Sequence, residues 1–578
     1  MRNSYDIAVL GSGVAGSSLA LTLRQAGVST LVIEHGTHPR FAIGESTVPA
    51  TSNGYDFLAR RYGIPEFRLI THYLGLKETG CVGFPKRHFW FGHHSEGEPL
   101  KLARELMFET LPLPIGPDVH MVRADVDAYL VGLLGPYGVD YTDSTELVEY
   151  RCDADLAYLT LKTPEGLKTV TARLVVDASG HASFFAKKFD LRDTVPRLHT
   201  DTRSVFAHFS GVGRLDAALG DRNPAFHFAR DGGTQHHCFK GGWAWVIPFD
   251  NGICSVGFQL LRSIHPHDSK VSPEAEIQGL LDRYHSMKAH LGDMQPIRRI
   301  ISTGRVQFTS RTIIGDRFVL TPHAAAFIEP LFSTGLVLTQ SFIARFVPLA
   351  VEALRQPRID MEVFRPIEKA FFREVAHADR IVDGTIRSFG DFEVFKQYWR
   401  TWTQGSVLEL IARIGGDHAR ADGSILLFGA ADSEFSAIVE RMHQKVVEHQ
   451  RESNDHGRSA DSGLLAADLK ATMDALSQPY RSANYAIGSP LGCNLRVSGY
   501  DDLSEALGDW MHAFRWCVRY ARTHPEIARD LSLRRMCEWA GRFGFRTTAL
   551  GCRRVRSAMF GTRLAGDLRR LDELTRSH

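Results

Sequence analysis

The chain has 578 residues, 44% of them hydrophobic and 23% charged, with 68 Lys plus Arg against 66 Asp plus Glu and a formal net charge of +2. That is ordinary globular composition at a length sufficient for several domains, and it excludes a mainly disordered, collagenous or disulfide-scaffold protein. A nearly neutral chain carries no global field for nucleic acid or an anionic membrane surface, so neither is expected as a partner.

The 8 cysteines include no CxxC pair, which fits free thiols in a reducing compartment. The 26 histidines include the doublets His93-His94 and His236-His237 but no HExxH spacing, so no metal site is expected. No run of about 18 apolar residues is present, so no spanning helix is expected. The first residues enter a strand-like run instead of a charged and apolar leader, and a cytoplasmic location is expected.

In chain order, Tyr5 to Leu10 reads as a strand and Gly11 to Gly16 as a Gly-rich turn. Ser17 to Gln25 has helical apolar spacing with Gly27 as terminator, and Ser29 to Ile33 is a second strand ending at Glu34. This βαβ unit implies a parallel sheet and an α/β fold. Arg123 to Leu134 reads as a helix, and 140–172 as short strands with a turn at 163–166. Arg173 to Gly180 is a further parallel-sheet strand, and 200–260 suggests an antiparallel sheet. Phe318 to Gln340 reads as strand, loop and helix start. Beyond about 350 the pattern is helical, with a polar linker near 450–463 and an Arg-rich end.

The turn fits GxGxxG in the setting that motif requires, after a strand and opening a helix. Gly11 permits the tight turn, Gly13 and Ala15 let the backbone approach a pyrophosphate, and Gly16 allows close helix–strand packing. The helix N-terminus offers N–H groups to phosphates. Glu34 accepts hydrogen bonds from an adenosine ribose and repels a 2′-phosphate, which favours FAD or NAD over NADP.

The following segment, Arg40 to Pro49, contains Gly44, Glu45 and Ser46. Here the chain resembles the superfamily of FAD-dependent aromatic hydroxylases, isoprenoid reductases and flavin-dependent halogenases. The resemblance implies that Gly44-Glu45-Ser46 passes the flavin ring and that Arg40 and Arg123 lie near FAD. It also implies that Asp177 to Gly180 forms a later strand end beside the cofactor.

Gly242 to Pro248 fits WxWxIP through Trp243 and Trp245, and Phe327 to Gly335 reads FIEPLFSTG. Both resemble flavin-dependent halogenases. The resemblance implies that the two indoles keep an organic substrate off the flavin while a halide reaches it. It implies that Ser333, Thr334 and Gly335 form the halide pocket, where backbone N–H groups and hydroxyls suit a bare anion. Halogenases also carry a lysine that binds hypohalous acid or becomes a haloamine. Lys86, inside the aromatic run Gly83 to Gly92, is the candidate, with Lys77 as runner-up.

Two positions, Phe332 and His323, depart from the resemblance. Phe332 stands where tryptophan halogenases have Glu, which points to electron-rich phenol or pyrrole substrates, free or carrier-bound, and away from free tryptophan. His323 stands where an Asp touches the flavin ribitol. Glu329 occupies the place where some relatives attach FAD covalently. The resemblance covers about 5–350.

The expectation is an α/β fold with a Rossmann-like FAD module. An antiparallel sheet at approximately 195–310 is inserted into this core of residues 1–350, and a helical region follows at 351–578. The expected activity is halogenation with chloride or bromide, O2 and FADH2 from a separate flavin reductase. A flavin hydroxylase, an isoprenoid-type reductase and a non-catalytic flavin-binding partner are the alternatives.

Overall fold

The computed structural model describes residues 2–109, 118–220, 229–415, 425–456 and 461–476. The four cysteines from Cys493 onward and the Arg-rich end lie outside the described residues.

Strand β1 (Ser4–Leu10) turns through the glycines into α1 (Val14–Gln25) and returns as β2 (Thr30–Ile33). The helix ends where Gly27 takes φ +86, a conformation that glycine adopts at little steric cost. Helix α2 (Pro49–Tyr62) begins with Pro at its first position and stops at Gly63 in the left-handed region. Next come β3 (Gly83–Lys86), β4 (His88–His93), β5 (Glu105–Glu109) and β6 (Asp118–Met121). The expected helix follows at Arg123–Leu134. Strands β7 (Asp140–Thr142), β8 (Glu146–Cys152), β9 (Ala157–Thr163) and β10 (Gly166–Asp177) follow it. The chain continues through β11 (Thr202–Ser210), β12 (Thr234–Phe239), β13 (Gly242–Pro248) and β14 (Cys254–Leu261). Four short strands close the series: β15 (Gln295–Pro296), β16 (Ile301–Arg305), β17 (Ile314–Gly315) and β18 (Phe318–Leu320).

The first sheet has the order β17-β18-β10-β1-β2-β7, with β9 and β8 extending from the long strand β10. Neighbours from β18 to β7 run parallel. Ile7, Val9, Leu31, Val32, Leu174 and Val176 are buried, as strands covered on both faces require. The chain leaves β1 toward β2 on one side, and β10 lies on the other. That reversal opens a crevice beyond the carboxyl ends of the strands.

The second sheet has the order β15-β11-β14-β13-β12-β4-β5, with β16 also on β11. It draws β4 and β5 from well before residue 195, and β4 runs parallel to β12. The alternation in 88–93 marks a strand, but no local pattern names its partner 140 residues away. Side chains alternate across this sheet. Phe89, Phe91, His236 and Trp243 meet on one face. Val246, Val256, Phe258 and Phe239 pack on the other, against helices Pro273–Arg283 and His285–Leu291. A two-stranded ladder, β3–β6, brackets β4 and β5 in the chain order.

Helix Thr334–Arg355 has the length and apolarity of a membrane span, but most of it is buried inside the protein. It runs past residue 350 and carries the chain into helices Arg365–Ser388, Phe392–Tyr398 and Arg400–Gly415. Helix Ser433–His456 takes up the first part of the polar stretch 450–463, and Asp461 caps helix Ser462–Asp474. Arg345 donates to both oxygens of Glu374 at 3.0 Å in a fully buried pair. Removing one partner strands a buried charge, which costs about 3–5 kcal/mol. Glu374→Ala is therefore expected to lower unfolding stability by about that amount, read from the urea midpoint at constant slope.

Candidate active site

The nucleotide end is built on the first βαβ unit. Gly11 has φ +92, and a Cβ on Gly16 would stand 1.9 Å from the Gly11 carbonyl oxygen, so strand and helix approach as only glycines permit. Gly13 caps α1 without any side-chain cap bond, which leaves the first-turn N–H groups, those of Val14 and Ala15 among them, facing outward. Glu34 accepts from the Ser12 N–H, the Ser12 hydroxyl, the Gly36 N–H and Arg40 at 2.8–2.9 Å. Burial opposes its ionisation, but these donors hold its carboxyl below the ordinary range. Among the described residues Oε1 carries only the Gly36 bond, so it has a lone pair for a ribose hydroxyl.

Arg123 clamps Asp127 with two bonds and donates to the Ile43 carbonyl, which brings Gly44 beside the Gly-rich turn. The open helix terminus, the acidic residue at the end of β2 and this arginine form a donor set that fits FAD. Glu45 accepts from His208 at 2.7 Å, and its second oxygen is buried without a hydrogen-bond partner. The Asp177 carboxylate takes a local role: it accepts from Ser179, Ser183 and the Phe185 N–H. It shapes the strand end and the turn at Gly180, where φ is +64.

His323 lies on the short helix Pro322–Ala325, bonded back to Asp177 through Thr321. A Cβ on Gly335 would stand 2.6 Å from His323 Nε2, so this ring and that glycine determine each other. Burial and the Arg123 charge push the imidazole down to about 4, which keeps it neutral. Ser333 takes φ +54, and the helix starts at Thr334 and Gly335 with no side-chain cap bond. Those N–H groups can hold a small anion.

Trp243 Nε1–H donates to Glu329 Oε1 at 2.7 Å, and the Leu331 N–H donates to Oε2 at 2.6 Å. Burial pushes the Glu329 carboxyl up to about 8. Trp245 Nε1–H donates to Ser255, and its ring lies where a Cβ on Gly257 would be only 2.2 Å away. The two indole centroids are 5.8 Å apart.

Lys86 is fully buried at the end of β3. Its Nζ donates to Ser46 Oγ and the Thr47 carbonyl at 2.8 Å and lies 3.4 Å from the centroid of Phe89. Burial drives the ammonium down from its ordinary range, and Asp118 opposes that shift. Ser46 thus turns its hydroxyl to the lysine. Lys77 is largely exposed and pairs with Asp250 at 2.8 Å.

Around Lys86 stand residues that sequence reasoning passed over. His236 stacks on Phe91 at 4.3 Å and faces Trp243. Trp402 stacks on Phe332 at 4.4 Å and meets Phe89, Phe91 and Phe108. Asp118 stands opposite Lys86 across β3–β6. Only the His doublet carried a local signal. No group of three metal-ligating side chains occurs among the described residues.

Fold and site together define an FAD-binding oxidoreductase with an aromatic cluster around a buried lysine. A tryptophan halogenase family pattern matches residues 114–372, and an NAD(P)-binding Rossmann-like pattern matches residues 9–62. Monodechloroaminopyrrolnitrin halogenase PrnC of Pseudomonas fluorescens is 35% identical over 429 residues, covering 72% of this chain and 74% of that protein. Tetracycline 7-halogenase of Kitasatospora aureofaciens is 31% identical over 416 residues, covering 70% and 74%. The crystal structure of halogenase PltM with phloroglucinol and FAD superposes with a TM-score of 0.75 at 26% identity, covering 83% of this chain and 98% of that one. The chain belongs to the flavin-dependent halogenase family, and FAD is its cofactor.

Losing a charged acceptor for a ribose hydroxyl costs about 1.5–3 kcal/mol. Glu34→Gln is expected to weaken FAD binding by roughly 10- to 100-fold, measured by quenching of flavin fluorescence on titration.

Proposed function

We propose that this halogenase acts on a free, electron-rich arene of phenol or pyrrole type, with chloride or bromide. The observation that carries the reading is the Lys86 ammonium, held by Ser46 and Thr47 against Phe89 in that aromatic cluster. The related halogenases named for monodechloroaminopyrrolnitrin and tetracycline, and PltM with phloroglucinol, support an untethered aromatic substrate.

Bound as FADH2, the cofactor supplies with O2 the oxidising equivalents that convert halide to hypohalous acid. A separate flavin reductase delivers it. The first-turn N–H groups of α1, with Glu34 and Arg123, hold the nucleotide. The Thr334 and Gly335 N–H groups, with Ser333 forming the turn, hold the halide. Trp243 and Trp245 bar an organic substrate from that crevice. Lys86 Nζ receives hypohalous acid, by hydrogen bond or as a haloamine, and aims it at the arene ring. The ring gains the halogen and loses a proton, so arene and hypohalous acid give haloarene and water. Residues 1–350 carry the halide and flavin chemistry. Helices beyond residue 351 wall the substrate side through Trp399 and Trp402.

A reaction of the purified protein with FAD, flavin reductase, NADH, bromide or chloride and a panel of phenols and pyrroles is expected to give a mass shift with the halogen isotope pattern. A halide-independent gain of one oxygen overturns halogenation of that substrate. Product with only carrier-bound arenes overturns the untethered reading. Lys86→Ala is expected to cut product by about 100-fold or more while NADH oxidation continues. Retained product overturns the assigned role of Lys86.

A further inference from the structure

Lys86 must lose a proton before its nitrogen can attack a halogen, and it is buried away from bulk water. Among the described residues, the Asp118 carboxylate stands opposite it. Strands β3 and β6 pair antiparallel with Lys86 directly opposite Asp118, which puts the two side chains on one face of the ladder. Asp118 is buried. Its Oδ1 accepts from Ser52 on α2 at 2.8 Å, while Oδ2 is buried without a hydrogen-bond partner among the described residues.

We propose that Asp118, fixed by Ser52, is the positioning and proton-holding residue of Lys86, and that the pair shares the proton the halogen transfer requires. This rests on the reading of Lys86 given above. The ammonium passes one proton to Asp118 Oδ2. The neutral amine attacks the halogen of HO–X, an N–X bond forms, and the O–X bond breaks with its electron pair going to oxygen. The Asp118 carboxyl gives its proton to the departing hydroxide, which leaves as water. The sum is Lys–NH3+ plus HOX giving Lys–NH2X+ plus H2O. Electrophilic halogen moves from oxygen to nitrogen, and no further oxidant is needed.

The energetics agree with the geometry. Burial lowers the lysine and raises the carboxyl, so each half of the pair is displaced toward neutrality. The other groups around the pair do not compete for the proton. Burial holds His88 at about 4 and His236 at about 3, and pushes His120 well below its ordinary value. Arg87 and Arg230 remain cationic throughout. Glu329, pushed to about 8, lies behind Trp243 and is common to wild type and variants.

The test uses the FAD-loaded enzyme with a substrate that the wild type halogenates. Asp118→Asn keeps the shape and a carbonyl acceptor for Ser52 but holds no proton. The expected result is a fall in kcat of about 100-fold with little change in KM, partly recovered in Asp118→Glu. The pH profile is expected to change shape. The wild type loses rate at alkaline pH as the shared proton leaves. In Asp118→Asn the residual rate rises with pH as the lone lysine deprotonates, at a pH lowered by loss of its counter-charge. A structural role alone scales the profile without reshaping it. In Ser52→Ala, loss of the bond that favours the carboxylate is expected to move the alkaline limb to higher pH. A second readout needs no flavin: apoprotein is treated with hypochlorous acid and the chlorinated Lys86 peptide is quantified by mass spectrometry. Asp118→Asn is expected to reduce that yield at least tenfold at neutral pH. Wild-type kcat, profile and haloamine yield in a folded Asp118→Asn overturn the proposal. Retained product in Lys86→Ala overturns the earlier reading of Lys86 instead.

Discussion

A buried ammonium is the constraint around which this site is built. An isolated charge in an apolar interior is too costly to persist unless it is solvated by the protein. Lys86 is solvated by three parts of the chain. Ser46 and Thr47 come from the loop before α2, Phe89 from β4, and Asp118 from β6. The short ladder β3–β6 aligns the lysine with the acid, and Ser52 on α2 fixes the acid. The loop after β2 thus has two tasks: Gly44 lies beside Arg123 at the flavin crevice, and Ser46 reaches the lysine. Anything that shifts this loop is felt at both ends of the site.

The same burial that displaces Lys86 and Asp118 keeps the surrounding imidazoles neutral. His236 stacks flat on Phe91 with Nδ1 2.9 Å from the Trp90 carbonyl, and burial pushes its imidazole down to about 3, which keeps the ring neutral. Three further histidines on the opposite side of β12 form a chain: Ser286 to His94, His94 to His237, His237 to His290, and His290 to the Gly213 carbonyl. Every link has a consistent donor when all three rings are neutral. The histidine-rich composition therefore serves packing and hydrogen bonding here. It adds no positive charge close to the lysine, where repulsion would work against the ammonium.

Legibility in the sequence followed distance along the chain. The Gly-rich turn, Glu34, the WxWxIP strand and the Ser333-Thr334-Gly335 helix start are local patterns, and each falls on the element that its spacing predicts. Lys86 stands out by the resemblance and by its Phe/Trp-rich run, which suits burial, and it is buried. Asp118, Trp402 and the β4–β12 pairing depend on contacts across 32, 70 or 145 residues, counted from Lys86 to Asp118, from Phe332 to Trp402 and from Phe89 to Thr234. No local periodicity encodes them. Ser46 and Asp177 show a different gap. Their positions were legible, but hydroxyl direction and carboxylate partners are set only when neighbouring elements compete for them. Ser46 goes to Lys86, and Asp177 to its own turn.

The Phe332–Trp402 stack carries the argument to substrate choice. Offset stacking at 4.4 Å with a 10° tilt fastens the loop before the halide-type helix start to helix Arg400–Gly415. By the resemblance to tryptophan halogenases Phe332 stands at the place of a carboxylate, and as a buried phenyl it offers no base to a ring that has just gained halogen. An arene activated by an oxygen or nitrogen donor stabilises its own cationic intermediate and needs less help at that step. In the proposed mechanism the proton-accepting capacity lies with Lys86 and Asp118, paired across β3–β6. The proposed phenol- or pyrrole-type ring is one whose own electrons compensate for a neighbour that contributes only contact.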